Sequence, residues 1–331
     1  MNYKKLFAVK WMILFLFTPL FTFAQNDLDN GLYFGYQGWF NAEGDGSPTN
    51  DWRHWFRADV SPSVGNLTID FWPDMSELDA DELYPTPFTY RDGSTALLYS
   101  NYNEKTVLRH FKWMQDYDLS GVFLQRFVGE IQIPQFLEIR NTVLDHVIKG
   151  AQQYGRKFAV MYDIAGVSRN DIFREITEDW MALVDDKNVT QQSGYMYQDD
   201  LPVVSIWGWG VNTTASTPEI LQQVTDWFHN PPDPKYKAYV KGGVDIEWQN
   251  RPDAAEWRDA FLSLDMISPW AVGTIGDTEG SDFARENWIE PDLSTTSANG
   301  VDYMPVVFPG FSWKNLTGGN LNEIRRNGGR F

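Results

Sequence analysis

Carboxylates at the ends of apolar segments are the side chains of this sequence best suited to acid–base chemistry. Asp163 ends the apolar run FAVMYD, a position where a carboxylate has a raised chance of being functional. Asp245 and Glu247 lie two apart after another apolar run. Residues two apart on a strand share a face, so this pair suits an acid and a base that act together. Asp163, Asp245 and Glu247 are therefore the catalytic candidates, with a structural role as the alternative for each.

Aromatic side chains, with Gln and Arg between them, dominate the predicted ends of the apolar segments. Aromatic faces pack against the C–H faces of sugar rings, while amide, carboxylate and guanidinium groups bind hydroxyls through fixed donors and acceptors. The pattern predicts a cleft for an oligo- or polysaccharide; the alternative is that the rings fill the core. The residues concerned are Tyr36, Gln37, Trp39, Gln125, Arg126, Tyr162, Trp207, Trp209, Trp248, Trp270, Phe308, Phe311 and Trp313.

The elements that must position these residues are short apolar segments alternating with amphipathic ones, a pattern typical of a parallel sheet covered by helices. We expect an α/β fold, specifically a (β/α)8 TIM-type barrel that is incomplete at the C-terminus and holds seven of eight strands; an open sheet is the alternative. In such a barrel the carboxyl ends of the strands converge on one site. The seven predicted strands are 31–40, 121–127, 158–164, 202–209, 239–244, 265–270 and 303–308.

Helices are predicted between the strands, and one long segment breaks the alternation. The 3.6-residue period and the capping residues predict helices at 104–117, 136–153, 172–184 and from Pro218 onward. Residues 41–102 are rich in turn formers and include one strand-like piece, 67–72, so we expect a long loop within a single barrel domain, 25–331. The acidic cluster 43–51 lacks the spacing of a calcium loop, which favours a solvated turn over a metal site.

Residues 1–24 have the pattern of a signal peptide. A basic start precedes the apolar run 11–23, and Ala24 offers a small residue for cleavage. The apolar run is shorter than the roughly 20 residues of a membrane-spanning helix. We therefore expect a secreted or periplasmic protein without a stable membrane anchor.

Composition excludes several classes of function. There are 27 Lys and Arg against 45 Asp and Glu, and the formal charge of −18 disfavours binding to nucleic acid or to anionic membranes. Cysteine is absent, which excludes disulfides, thiolate catalysis and cysteine-based zinc sites. The four His residues form no H-E-x-x-H motif, and neither a G-x-S-x-G nor a phosphate-loop motif occurs. We expect no cofactor and no metal.

A set of short motifs resembles those of secreted glycoside hydrolases related to families 71 and 99, over about residues 31–331. The motifs are GYQGWF, DFWPD, GVFLQRF, MYDIAG, SIWGWG, ISPW and PVVFPGFSW. Those families are α/β barrels acting on α-linked glycans, and family 99 comprises endo-α-mannosidases. The resemblance implies places in the cleft for Tyr36, Trp39, Asp70, Trp72, Gln125, Arg126, Asp163, Trp207, Trp209, Trp270 and Trp313.

The resemblance also reveals a departure from the families' pattern. Their catalytic pair, two glutamates three apart, lies on a final strand beyond the position of residues 325–329, and this sequence contains no match to it. We favour a secreted glycosidase lineage whose present chain is a shortened or incomplete copy. The alternatives are a non-catalytic carbohydrate-binding protein and a glycosidase that uses Asp163 with Glu247 or Asp245, which requires carboxyl groups about 5 to 10 Å apart.

Residues 25–331 are accordingly expected to show no measurable glycosidase activity, because glycoside hydrolysis needs two placed carboxyl groups. The measurement is turnover of an α-mannoside or another α-linked glycan. Extending the chain with the expected eighth strand should restore glycosidase activity. Turnover by the 331-residue chain that is lost in Asp163→Asn or Glu247→Gln would instead support the alternative pair.

Overall fold

The structure, a computed structural model, describes residues 25–57, 61–211, 214–319 and 323–326, so the predicted signal peptide lies outside the described residues. The strands are β1 (Tyr33–Tyr36), β2 (Tyr84–Thr89), β3 (Thr95–Leu98), β4 (Gly121–Phe127), β5 (Lys157–Asp163), β6 (Tyr197–Gln198), β7 (Leu201–Trp209), β8 (Tyr239–Asp245), β9 (Met266–Trp270) and β10 (Asp302–Tyr303). The α-helices are α1 (Glu104–Asp116), α2 (Val128–Ile131), α3 (Pro134–Tyr154), α4 (Ile172–Lys187), α5 (Pro218–His229), α6 (Ala254–Phe261), α7 (Thr278–Ala284), α8 (Glu290–Asn299) and α9 (Lys314–Thr317).

Seven parallel strands form the main sheet, in the order β1-β4-β5-β7-β8-β9-β10. The sheet curls into a half-barrel, so the predicted α/β fold with seven barrel strands is confirmed. Sequence order and spatial order agree except for the small antiparallel strand β6, which pairs with the start of β7. Within the described residues β1 and β10 are the edges of the sheet.

The predicted helices α5 and α3 begin and end, respectively, at the predicted capping residues. Thr217 accepts a hydrogen bond from Ile220 N (3.4 Å) at the start of α5, with Pro218 as its first residue. Helix α3 ends at Gly155, whose φ of +61° places it in the left-handed conformation that stops a helix. The apolar faces of α3 and α5 pack against the strands of the sheet. No described helix combines the length and the apolarity needed to cross a membrane.

The segment 41–102 differs from the prediction in one respect. Residues 67–72 do not form a strand, since they contribute a single bridge from Leu67 to Phe56, and the strands of this segment are instead β2 and β3. These two strands form an antiparallel hairpin whose turn contains Asp92-Gly93, a common hairpin signal. The segment also has a small hydrophobic core of its own, built from Ala42, Trp52, Trp55, Phe56 and Leu98.

A buried ion pair fastens helix α4 to the sheet. Arg126, on β4, is 1% exposed and donates from Nε to Asp179 Oδ2 (3.0 Å) on α4. The Tyr162 hydroxyl on β5 donates to the same oxygen (2.8 Å). One carboxylate therefore links two strands and a helix, and the buried guanidinium depends on it for its charge partner.

Asp179→Ala should lower the free energy of unfolding by about 3 to 5 kcal/mol, because it leaves the Arg126 charge buried without a partner. Glu178→Ala, at the neighbouring exposed position of α4, is the matched control and should change it by less than about 0.5 kcal/mol. Denaturant unfolding of the three proteins measures both values. Equal effects of the two substitutions would contradict a stabilising role for the ion pair.

Candidate functional site

A cleft of about 980 Å³ opens at the carboxyl ends of the parallel strands. Residues from the ends of β4, β5, β7 and β9 form its inner wall, and residues from the long segment after β1 and from the segment after β10 form its rim. This is the face on which barrel enzymes bind ligands. The polar and aromatic residues that line the cleft are Gln37, Trp39, Phe40, Arg53, His54, Phe56, Arg57, Thr68, Gln125, Glu130, Asp163, Trp207, Trp270, Phe311 and Trp313.

Strand register decides which side chains reach the cleft. Gln125 pairs with Met161, and Asp163 pairs with both Phe127 and Trp207 on the neighbouring strands. Since side chains alternate along a strand, Gln125 and Asp163 face the interior while their neighbours face the helices.

Asp163 is the most buried carboxylate of the cleft, at 4% exposure. Its Oδ1 accepts from Ala165 N (2.8 Å), and its Oδ2 accepts from Gln125 Nε2. Burial raises the pKa of Asp163 to about 6, although these two hydrogen bonds oppose the shift. The negative charge of Glu130 adds to the increase in pKa. Asp163 therefore holds its proton in mildly acidic solution.

Glu130, in α2 just after β4, is the second carboxylate of the cleft. Its Oε2 accepts from Arg140 Nε (2.8 Å), and its Oε1 lies 3.7 Å from His54 Nε2. Burial opposes its charged form, but the nearby His54 imidazole and the Arg140 guanidinium outweigh it and lower the pKa of Glu130. The pKa values of Glu130 and Asp163 are thus moved in opposite directions, which is the arrangement that acid–base chemistry uses.

Aromatic rings form the walls between the polar groups. Trp39 stacks on both His54 (centroids 4.5 Å apart) and Phe127 (4.8 Å), whose parallel rings lie side by side 6.1 Å apart, and Trp207 meets Trp270 edge to face at 5.5 Å. Trp270 is 41% exposed. Within the described part of the chain, the indole Nε1 atoms of Trp39 and Trp207 are buried without a hydrogen-bond acceptor. The cleft thus offers open ring faces, chiefly that of Trp270, while these two indole N–H groups are enclosed by the protein.

The structure brings only part of the predicted set together. Gln37, Trp39, Gln125, Asp163, Trp207, Trp270, Phe311 and Trp313 line the cleft. Asp245 and Glu247 are not lining residues; Asp245 Oδ1 accepts from Glu247 N (2.8 Å), and the Glu247 side chain is exposed. Their catalytic roles stay predictions.

The remaining predicted residues lie away from the cleft wall. Trp209 and Trp248 are fully buried, and Arg126 is held by Asp179. The Tyr36 hydroxyl bonds to His110 Nδ1 (2.7 Å) on the helix side of the sheet. The other two belong to the long segment: Trp72 Nε1 donates to Leu97 O (2.8 Å), and the Asp70 carboxylate accepts from Ser312 and Asn315.

Sequence reasoning missed Glu130, Arg53, His54 and Arg57. Glu130 follows β4 within three residues, so its place after a predicted strand was a usable signal. The other three lie in the irregular segment after β1, where no periodicity marks them. His54 has a φ of +59°, a left-handed conformation that is uncommon outside glycine, and only the fold brings it beside Glu130.

One acidic grouping within the described ranges has the spacing of metal ligands, but basic side chains already neutralise it. Oxygens of Asp79, Asp81 and Glu82 lie within 4.8 Å of one another. Lys105 Nζ lies 2.8 Å from Asp79 and 2.7 Å from Asp81, and Arg109 pairs with Glu82. The grouping fastens α1 to the long segment, and we assign it no metal.

The fold, compared with solved structures, is similar to that of a GH99 endo-alpha-mannosidase from Bacteroides thetaiotaomicron. The structure of that protein in complex with BIS-TRIS-Propane matches with a TM-score of 0.58 and 14% identity, over 93% of this chain and 77% of that chain. A second structure of the enzyme gives a TM-score of 0.54 and 14% identity, over 92% and 76%. No protein-family model and no curated protein matches the sequence. The resemblance stated from the motifs is thereby confirmed for the fold.

The raised pKa of Asp163 predicts a pH-dependent stability. Its folded pKa of about 6 exceeds the ordinary value of about 3.9, so between those values the folded state binds more protons than the unfolded state. Stability should fall as the pH rises through this range, by up to about 3 kcal/mol. Asp163→Asn, which does not titrate, should gain stability relative to wild type over the same range. Unfolding free energies from pH 4 to 8 test this, and a difference independent of pH would contradict it.

Proposed function

We propose that this protein is a secreted, glycoside hydrolase-like protein that binds oligosaccharides of α-linked sugars in the cleft. Two lines of evidence support the proposal. The fold is similar to that of a GH99 endo-alpha-mannosidase, and the cleft lies at the strand ends where barrel enzymes act. The apolar run and cleavage site at the start of the sequence support secretion.

The observation that carries the proposal is the combination of open ring faces and an exposed amide in one cleft. Trp270 and Trp313 are 41% and 47% exposed and line the cleft, so their faces are available to the apolar faces of sugar rings. The Gln37 side chain is exposed and also lines the cleft, so its amide can donate to and accept from sugar hydroxyls. A polyhydroxyl ligand with alternating apolar and polar faces fits both the rings and the amide.

Hydrolysis of the bound glycan is a second candidate function, favoured by the two carboxyl groups of the cleft. Asp163, when protonated, would donate its proton to the glycosidic oxygen as the bond to the anomeric carbon breaks. The ionised Glu130 would take a proton from the attacking water, so that the two carboxyl groups exchange protonation states. Turnover of an α-linked glycan that is lost in Asp163→Asn while binding is kept would identify this activity.

Trp270→Ala should weaken binding of an α-linked mannan or glucan oligosaccharide by about 1 kcal/mol or more, because it removes an exposed platform for a sugar ring. Isothermal titration of the purified protein measures the effect. Tyr117→Ala is the matched control, since this exposed ring follows α1 and does not line the cleft. Equal affinities of all three proteins would contradict the proposed site, and so would a wild-type protein that binds none of these oligosaccharides.

A further inference from the structure

The wall of the cleft that contains Trp313 lacks support from the sheet. This C-terminal wall, residues 311–316, follows the edge strand β10, and among the described residues β10 pairs with β9 alone. Its only helix, α9, has four residues. Phe311 forms a single bridge with Ile324. The position of Trp313 must therefore be set by contacts outside the sheet.

Side chains of the long segment after β1 supply these contacts. The Asp70 carboxylate accepts from Ser312 Oγ (2.8 Å) with Oδ2 and from Asn315 N (2.8 Å) with Oδ1. Asn315 Nδ2 donates back to Ile69 O (2.7 Å). Arg57 Nη2 donates to the Asn315 carbonyl at 3.2 Å and to the next carbonyl at 3.0 Å. These bonds join the segments that follow the two edge strands.

The arrangement of these bonds brackets Trp313 in the chain. Asp70 accepts from the side chain of Ser312, just before Trp313, and from the backbone of Asn315, two residues after Trp313, so one carboxylate holds the chain on both sides of the indole. Asp70 itself is not among the lining residues, whereas Trp313 is. Asp70 is thus placed to affect the ligand through Trp313 without contacting it.

We propose that Asp70 is a positioning residue, which fastens the C-terminal wall to the long segment after β1 and so holds Trp313 as a platform for the glycan. The proposal rests on the proposed function, and it assigns to the DFWPD motif a role that its sequence does not reveal. A carboxylate suits this role because it accepts two hydrogen bonds at once and because bonds to a charged acceptor are strong.

Asp70→Ala removes both acceptors, whereas Asp70→Asn keeps the oxygen that faces Asn315 N, and the Ser312 hydroxyl can accept from the new amide. Asp92→Ala is the matched control, because Asp92 accepts from Ser94 N (2.9 Å) and Ser94 Oγ (2.6 Å) within the turn of the hairpin. Amide hydrogen exchange on the protein without ligand should be about fivefold faster at Asn315 in Asp70→Ala. Asp70→Asn should restore most of the protection, and Asp92→Ala should leave it unchanged.

Oligosaccharide titration provides the second measurement. Asp70→Ala should raise Kd about as much as Trp313→Ala does, and the double variant should bind no more weakly than Trp313→Ala alone, because both substitutions remove the same platform. Losses that add in the double variant would overturn the positioning role, and so would unchanged exchange at Asn315 in Asp70→Ala. If the wild-type protein binds no oligosaccharide, the proposed function fails, and the exchange measurement alone decides whether Asp70 fastens the wall.

Discussion

The in-register pairing of β4, β5 and β7 is the constraint on which the site depends. It places Asp163 between Phe127 and Trp207, and Gln125 beside Met161, with the cleft on one face and the helices on the other. A slip of one residue would exchange the two faces, since side chains alternate along a strand. The bond of Tyr162 and Arg126 to Asp179 opposes such a slip, because it ties the outward-facing residues of β4 and β5 to helix α4. The same register therefore places the Arg126–Asp179 ion pair on the helix side of the sheet and the Asp163 carboxylate on the cleft side.

The seven strands of the main sheet and the helices α1, α3, α4 and α5 could be predicted from the sequence because apolar runs, periodicity and caps are local signals. The face on which each strand-end residue lies could not, because parallel strands are apolar on both faces and show no alternation. The sequence therefore predicts Tyr36 and Arg126 to line the cleft together with Gln37 and Gln125, although neighbouring residues on a strand point in opposite directions. Trp209 lies away from the cleft for a different reason. The pairing between β7 and β8 shifts after Trp207, at Gly208 with its φ of +119°, and Trp209 turns into the core.

The rim of the cleft is built by contacts between distant parts of the chain, which leave little trace in a sequence. His54 and Glu130 are brought together by the fold: Nε2 of His54, in an irregular segment, lies 3.7 Å from Oε1 of Glu130, in a short helix. The contact of Asp70 with Asn315 spans 245 residues. Motif resemblance could point to Asp70, since DFWPD is a recognisable string, but only the structure separates a residue that lines the cleft from one that supports its wall.

The charges of the cleft are arranged to suit an uncharged ligand, although the protein as a whole carries a formal charge of −18. Arg140 compensates the Glu130 charge, and Arg53 is paired with Asp51 at 3.0 Å. Asp163 has no cationic partner among the described residues, and it responds by holding its proton up to a pKa of about 6. Below that pH Asp163 is uncharged, and a neutral ligand rich in hydroxyls can bond to the exposed Gln37 amide without needing a counter-charge, which is why the cleft in this protonation state suits a sugar.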